Sequence, residues 1–150
     1  MVVAAVGNRL RGDDAAGPLV ADALRAARAP VHLVEAATDP LTLLDAWADD
    51  DTVFVVDAVA SDAAPGTIHE LGADDAGLLP EPPGGSTHGF GLAATVALAR
   101  TLGRLPRQLT ILGIEGRQFE MGAPPHPAVR RAALVVAERI QEAVRAGVGT

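Results

Sequence analysis

Short apolar runs alternate along this chain with longer segments in which apolar residues recur every three or four positions. The runs are rich in β-branched residues and are bounded by Gly, Pro or Asp, a composition typical of strands. Five strands are predicted, at residues 1–6, 31–35, 52–57, 67–71 and 109–115. The segment 67–71 is the most polar of them, which favours a place at the edge of a sheet.

Four further segments have the apolar spacing of amphipathic helices. The first is predicted to contain Pro18 in its opening turn and to end near Arg28, and the second to begin at Asp39. The last is predicted to begin at His126 and Pro127. The expected buried faces are Leu19, Ala23, Leu24 and Ala27; Leu41, Leu44 and Trp47; Leu92, Val96, Ala99 and Leu102; and Val129, Ala133, Val136, Ile140 and Val144.

This alternation of strands and helices predicts the fold class. We expect one three-layer α/β domain over residues 1–150, with a mostly parallel sheet of about five strands. One edge strand should be antiparallel, and helices should cover both faces. Right-handed crossovers place the second strand on one side of the first and the third on the other. The ligand crevice is then expected beyond the carboxyl ends of the first and third strands, where the strand order reverses.

Composition narrows the range of partners. The 150 residues carry a net charge of −7, and every basic residue is Arg, which argues against nucleic acid or an anionic membrane. The absence of Cys removes disulfides, thiolate metal sites and a cysteine nucleophile. No apolar run approaches the roughly 18 residues of a membrane span, and the N-terminal run is too short for a signal peptide. A cytoplasmic protein is expected.

Acidic residues follow the two strands that flank the predicted crevice. Asp13 and Asp14 lie in the loop after the first strand, and Asp57 ends the third. Either member of the pair could cap the following helix, whereas Asp57 has no obvious local helix to cap. Because both strands end at one edge of the sheet, we expect Asp57 and one of the pair to meet there.

A histidine could complete a metal site with these carboxylates. His88 lies between the Gly- and Pro-rich loop 72–88 and the third predicted helix. Neutral imidazole is a common metal ligand. Two carboxylates and His88 would therefore suit a divalent cation such as zinc, nickel or iron, without fixing which one.

The remaining candidates are weaker. His32, His69 and His126 are expected to be structural, and Glu115, at the end of the last strand, is expected to support the site from outside. The loop containing Gly7 and Gly12 lacks both GxxxxGK[ST] and GxGxxG, and this disfavours phosphate binding. Ser86 and Thr87 have no surrounding GxSxG turn, so a serine nucleophile is also disfavoured.

Together these motifs resemble those of a known family. The stretch GNRLRGDDAAG at residues 7–17 is similar to the N-terminal signature GN-x-L-x-x-D-D/E-x-x-G of the nickel–iron hydrogenase maturation endopeptidases. The later VVDAV, STHGFGLA and LGIE match the same family in order and approximate spacing. The resemblance covers essentially the whole chain.

The resemblance implies an endopeptidase that removes a C-terminal peptide from the precursor of a hydrogenase large subunit once nickel is in place. The family's metal-contacting residues fall on Asp14, Asp57 and His88, and the nickel is expected to be supplied by the precursor. No organic cofactor is implied, and Asp13 is assigned to shaping the loop. The nickel could serve as a recognition handle, polarise the scissile carbonyl or activate water, or a carboxylate could be the general base.

Two other functions are compatible with parts of the sequence. A non-catalytic nickel-sensing or chaperone-like module would keep the same three residues, whereas a small nucleotide or phosphate binder that used the first loop would not need them. Residues 36–40, AATDP, depart from the acidic-Gly-Gly-Thr stretch of many family members, which leaves open the hydrogenase that is processed. We expect a monomer that meets the precursor transiently.

Overall fold

The computed structural model describes residues 1–36, 40–48, 51–80 and 91–147. The strands among them are β1 (Val2–Val6), β2 (His32–Ala36), β3 (Thr52–Val59), β4 (Ile68–Gly72) and β5 (Gln108–Glu115). The α-helices are α1 (Ala16–Ala26), α2 (Leu92–Thr101) and α3 (Pro127–Arg145). Short 3-10 segments lie at Gly12–Ala15, Pro40–Asp45 and Ala73–Leu78.

The five strands form one sheet in the order β2-β1-β3-β5-β4. β1 is parallel to β2 and β3, and β3 is parallel to β5. β4 pairs antiparallel with β5 at the edge. The predicted α/β fold with one antiparallel edge strand is confirmed, and β1 and β3 flank the reversal of strand order.

Each face of the sheet carries its own apolar cluster. α1 and α3 pack together over one face, where the cluster includes Val3, Val20, Leu24, Val56, Leu112, Ile114, Val136 and Ile140. α2 and the segment Pro40–Asp45 cover the other face, where the cluster includes Val6, Leu43, Trp47, Val53, Val55, Val59, Leu92 and Ile111. Successive residues of β3 alternate between the two clusters, as the pleat of a strand requires.

β3 extends two residues beyond its predicted end, so the prediction that Asp57 ends the strand is wrong. Ala58 and Val59 continue the parallel pairing with β5, and both side chains are buried. Burial of these two apolar residues explains the extension. Asp57 is therefore held within β3, one residue past Val56, the last residue that pairs with β1.

Two helix predictions and one loop prediction need correction here. The second predicted helix is only the 3-10 segment Pro40–Asp45, because β3 begins at Thr52 and leaves little chain to extend it. Leu102 is exposed at the C-cap of α2 and does not belong to its buried face. The long loop predicted after β4 contains a 3-10 segment at Ala73–Leu78.

The buried face of α1 also differs from the prediction. Leu24 is buried as expected, but Ala27 lies exposed beyond the helix. Small residues occupy the buried face because the helix approaches the strand ends closely; its buried members are Ala16, Gly17, Pro18, Val20, Ala21 and Leu24.

α3 begins as predicted. His126 is its N-cap and Pro127 its first residue, and His126 Nδ1 accepts a hydrogen bond from the Ala128 N–H at 2.9 Å. No described helix is long and apolar enough to span a membrane.

Candidate functional site

The loop after β1 folds tightly around Asp14. Gly7 has φ +139°, and a Cβ at that position would lie 2.1 Å from the Asp14 carbonyl oxygen, so only glycine fits. The Asn8 N–H donates to Asp14 Oδ2 at 2.9 Å. Arg11 Nη1 lies 4.0 Å from the same oxygen. The Gly-Asn turn therefore sets the position of the carboxylate.

Asp14 is partly buried, and its surroundings disfavour the charged form of its carboxyl group. The Asp14 side chain is 15% exposed to solvent. Burial raises the pKa of Asp14 above its ordinary value, and the opposing effects of the Asn8 N–H and the Arg11 guanidinium are smaller. A carboxylate in this state gains more from a cation that reaches it than a fully solvated one does.

Asp13 has a different role from its neighbour. Its side chain is fully buried, and Oδ2 accepts the backbone N–H groups of Arg117 at 2.7 Å and Gln118 at 2.9 Å. Oδ1 accepts the His126 N–H at 2.7 Å. Asp13 therefore fastens the loop after β1 to the loop between β5 and α3. Asp13 does not cap α1, because the N-cap of that helix is Ala15 and has no side-chain bond.

α1 begins directly over the ends of the two central strands. A Cβ on Gly17 would lie 2.4 Å from the Val6 carbonyl oxygen and 2.9 Å from that of Val56. This contact brings the 3-10 segment Gly12–Ala15, which contains Asp14, against β3. The structure therefore brings the Asp14 segment and the Asp57 strand to one rim of the sheet, as the topology predicted.

Asp57 points towards the face of the sheet that α2 covers. It occupies the same side of β3 as Val55 and Val59, which belong to the α2-side cluster. Its side chain is half-buried, and Oδ1 accepts the Ala58 N–H at 2.8 Å.

A second polar cluster lies beside Asp57 on the same face. Gly113 pairs with Asp57 on one side and with His69 on the other, so these two side chains flank a glycine in one row across the sheet. A Cβ on Gly113 would lie 2.8 Å from Val59 Cγ1. The glycine thus leaves this part of the sheet surface free of a side chain between Asp57 and His69.

Glu115 is the centre of this second cluster. Its side chain is fully buried and accepts the Ser61 N–H at 2.5 Å, the Ser61 hydroxyl at 2.7 Å and His69 Nε2 at 3.0 Å. Burial raises the pKa of Glu115, but the bonds from Ser61 and His69 outweigh burial and hold that pKa below its ordinary value. An ionised carboxylate therefore joins the ends of β3, β4 and β5.

Sequence reasoning found Glu115 and missed its partners. A carboxylate at the end of a buried strand is a visible signal, whereas Ser61 is 54 residues away from Glu115 and His69 is 46 residues away. The spacing of residues within a short stretch of sequence gives no indication of contacts this distant. The interpretation of His69 as structural agrees with its bond to Glu115, and no sequence feature indicated the pairing.

The third predicted metal ligand, His88, lies outside the described residues, as do Ser86 and Thr87. In the part of the chain that the structure describes, no three His, Asp or Glu side chains form a group able to hold a metal ion. The prediction of a three-residue site at Asp14, Asp57 and His88 stays a prediction.

Comparisons with known proteins point to one kind of enzyme. The family model described as hydrogenase maturation protease (HycI) matches residues 18–143. The hydrogenase 2 maturation protease of Escherichia coli is 28% identical over 149 residues, which cover 97% of this chain and 90% of that protein.

Solved structures agree with the sequence relatives. The hydrogenase maturating endopeptidase HybD of E. coli superposes with a TM-score of 0.80 at 27% identity, over 98% of this chain and 93% of that one. A [NiFe] hydrogenase maturation protease, HycI of Thermococcus kodakarensis, superposes with a TM-score of 0.71 at 25% identity, over 96% and 91%.

Proposed function

Because the chain belongs to the hydrogenase maturation protease family, we propose that it removes a C-terminal peptide from the precursor of a nickel–iron hydrogenase large subunit after nickel insertion. One observation carries the proposal. Asp14 and Asp57 lie near the carboxyl ends of β1 and β3, where the strand order reverses. In open, mostly parallel sheets the ligand crevice lies at this point.

Nickel held by the precursor is the feature that these residues recognise. Asp14 and Asp57 supply two oxygen donors and His88 one nitrogen donor, a set that suits a borderline divalent cation. The partly buried Asp14 carboxylate gains from a cation because burial has already raised its pKa. Recognition of the metal delays cleavage until the precursor is loaded.

Water is the nucleophile that best fits this chain. The sequence contains no Cys. Water attacks the carbonyl carbon of the scissile bond, the C–N bond breaks, and the proton of the water passes to the amine that leaves. The precursor's nickel, where Asp14 and Asp57 meet it, would polarise the carbonyl or the water.

The experiment compares nickel-loaded and nickel-free precursor as substrates for the purified chain. Mass spectrometry of the precursor's C-terminus is expected to show release of a peptide only from the loaded form. Asp57→Asn and His88→Ala are each expected to lower the processing rate by more than the about 10- to 100-fold that loss of an outer-shell partner of a metal ligand costs. Circular dichroism should show that both variants remain folded.

Asp62→Asn is the matched control, because Asp62 is an exposed carboxylate that follows the same strand. It should process the precursor at the wild-type rate. Wild-type processing by Asp57→Asn and His88→Ala would refute the site. Tight binding of loaded precursor without any release would instead identify the non-catalytic module.

A further inference from the structure

Two large apolar side chains are exposed on neighbouring loops at the rim of the sheet. Leu10, in the loop after β1, is 69% exposed, and Met121, in the loop between β5 and α3, is 66% exposed. The Gly122 N–H donates to the Leu10 carbonyl oxygen at 2.6 Å, and the Gly12 N–H donates to the Ala123 carbonyl oxygen at 3.1 Å. The two loops therefore form one hydrogen-bonded platform, here called the Leu10–Met121 platform.

The platform is held by buried polar contacts. Asp13, fully buried, accepts backbone N–H groups from Arg117, Gln118 and His126, and its own N–H donates to the Gln118 carbonyl oxygen at 2.7 Å. Burying a carboxylate is tolerated only where hydrogen bonds replace its hydration. These bonds oppose a rearrangement of the loops that would cover Leu10.

Close backbone packing adds to this constraint. Gly12 has φ +54°, and a Cβ on it would lie 2.2 Å from the Gln118 carbonyl oxygen. The Arg11 guanidinium lies 5.9 Å from the centre of the Phe119 ring, which is in the opposite loop. The backbone of both loops is therefore fixed before a partner binds, which lowers the entropy cost of docking on Leu10 and Met121.

Asn8 connects the platform to Asp14, the carboxylate that we propose contacts the nickel. The Asn8 N–H donates to Asp14 Oδ2 at 2.9 Å, and Asn8 Oδ1 accepts the Leu10 N–H at 2.9 Å. The exposed leucine and Asp14 thus belong to the same short loop. The platform is therefore continuous with the loop that carries Asp14, the carboxylate at which the proposed substrate presents its metal.

We propose that Leu10 and Met121 are the apolar anchor on which the hydrogenase large-subunit precursor docks beside its nickel site. The inference rests on the proposed function and adds two specificity-determining residues to it. Their partner is an apolar depression on the precursor, adjacent to its metal site. Docking there supplies binding free energy without taking part in peptide cleavage.

The test measures processing of nickel-loaded precursor by Leu10→Ser, Met121→Ser and the double variant. Each single variant is expected to raise KM about tenfold and to leave kcat within twofold, because an interface anchor contributes to binding. The double variant should raise KM further. Leu10→Met, which keeps a large apolar side chain, should restore most of the loss. Melting temperatures should stay at the wild-type value, since both side chains are exposed.

Leu134→Ser is the matched control, because Leu134 is 63% exposed on α3, away from the loops that form the platform. It should process the precursor with wild-type KM. An unchanged KM in the double variant, or a loss confined to kcat, would overturn the docking inference. The proposed function would still stand in that case, provided that the unmodified chain cleaves the loaded precursor. No cleavage by the unmodified chain would overturn both.

Discussion

Asp13 and Asp14 are adjacent in sequence but belong to different environments. Asp13 is fully buried and satisfied by three backbone N–H groups from a distant loop. Asp14 is partly exposed, and burial raises the pKa of its carboxyl group. Asp13 therefore stabilises the fold through its hydrogen bonds, whereas Asp14 carries its charge at some expense of stability.

Alanine substitutions should separate these two roles. Asp13→Ala leaves three backbone N–H groups without their acceptor, and the free energy of unfolding should fall by at least about 3 kcal/mol. Asp14→Ala should change the free energy of unfolding by less than about 1 kcal/mol, whereas processing of the precursor should be lost. Urea unfolding at neutral pH measures both effects. Equal losses of stability in the two variants would contradict the division.

Glu115 should give the protein a measurable acid sensitivity. Its folded-state pKa lies below the ordinary value of 4.5, because the bonds from Ser61 and His69 outweigh burial. A lowered carboxyl pKa stabilises the fold above the unfolded-state value, and this contribution disappears as pH falls through the folded-state pKa. Glu115→Gln should therefore cost about 1–3 kcal/mol at pH 7.

The stability difference between wild type and Glu115→Gln should shrink as pH falls below 4.5. Urea unfolding at several pH values from 7 to 3 gives this difference directly. Glu120→Gln is the control, because Glu120 is exposed, and the free energy of unfolding of this variant should match wild type across the series. A constant difference across the series would show that the Glu115 contacts do not depend on ionisation.

Sequence reasoning could predict where the two candidate carboxylates lie in the fold but could not describe the contacts around them. Asp14 follows β1 and Asp57 lies near the end of β3, and both strands are recognisable from their apolar runs, so the rim at which the two carboxylates lie was predictable. The three acceptor contacts of Asp13 join residues 104 to 113 positions apart. Such contacts depend on how whole strands, helices and loops pack together, and they cannot be predicted from the local pattern of residues in the sequence.

At the scale of elements, α1 is positioned by a residue without a side chain. Gly17 lets the helix approach the ends of β1 and β3, where a Cβ would lie 2.4 Å from the Val6 carbonyl oxygen. The same proximity explains why the buried face of α1 differs from the predicted one. Hydrophobic spacing identifies a helix, but the fit between backbones decides which of its faces is buried.

Gly17→Ala should displace α1 and the Asp14 loop that leads into it. Overpacking of this kind costs about 1–3 kcal/mol, and processing should fall as Asp14 moves relative to Asp57. Thermal unfolding followed by circular dichroism measures the stability loss. Gly77→Ala is the matched control, since a Cβ there meets nothing within 4 Å. If both variants melt at the wild-type temperature, the close approach does not position α1.

The elements differ in how far sequence determines them. β1, β3 and β5 each contain an apolar run, and their predicted bounds lie within two residues of the observed ones, because strands covered on both faces leave a clear signal. The segment Pro40–Asp45 has helical spacing but forms only a 3-10 segment. Its length is decided by the position of β3, a constraint that its own residues do not contain.

At the scale of the whole molecule, one sheet is shared by two apolar clusters. Trp47, the only Trp in the chain, belongs to the α2-side cluster, and its Nε1 donates to the Arg104 carbonyl oxygen at 2.8 Å. The two longer α-helices, α1 and α3, lie on the opposite face. Tryptophan fluorescence and far-ultraviolet circular dichroism therefore report mainly on different layers.

These two probes should nevertheless show one unfolding transition. β1, β3 and β5 contribute alternate residues to both clusters, so neither layer can unfold without exposing the sheet beneath the other. Leu43→Ala on the Trp47 side and Ile140→Ala on the other each remove a fully buried side chain, at a cost of about 2–5 kcal/mol. Either substitution should lower both urea midpoints together. A shift of the dichroism midpoint alone in Ile140→Ala would mean that the α1–α3 layer unfolds independently of the layer that carries Trp47.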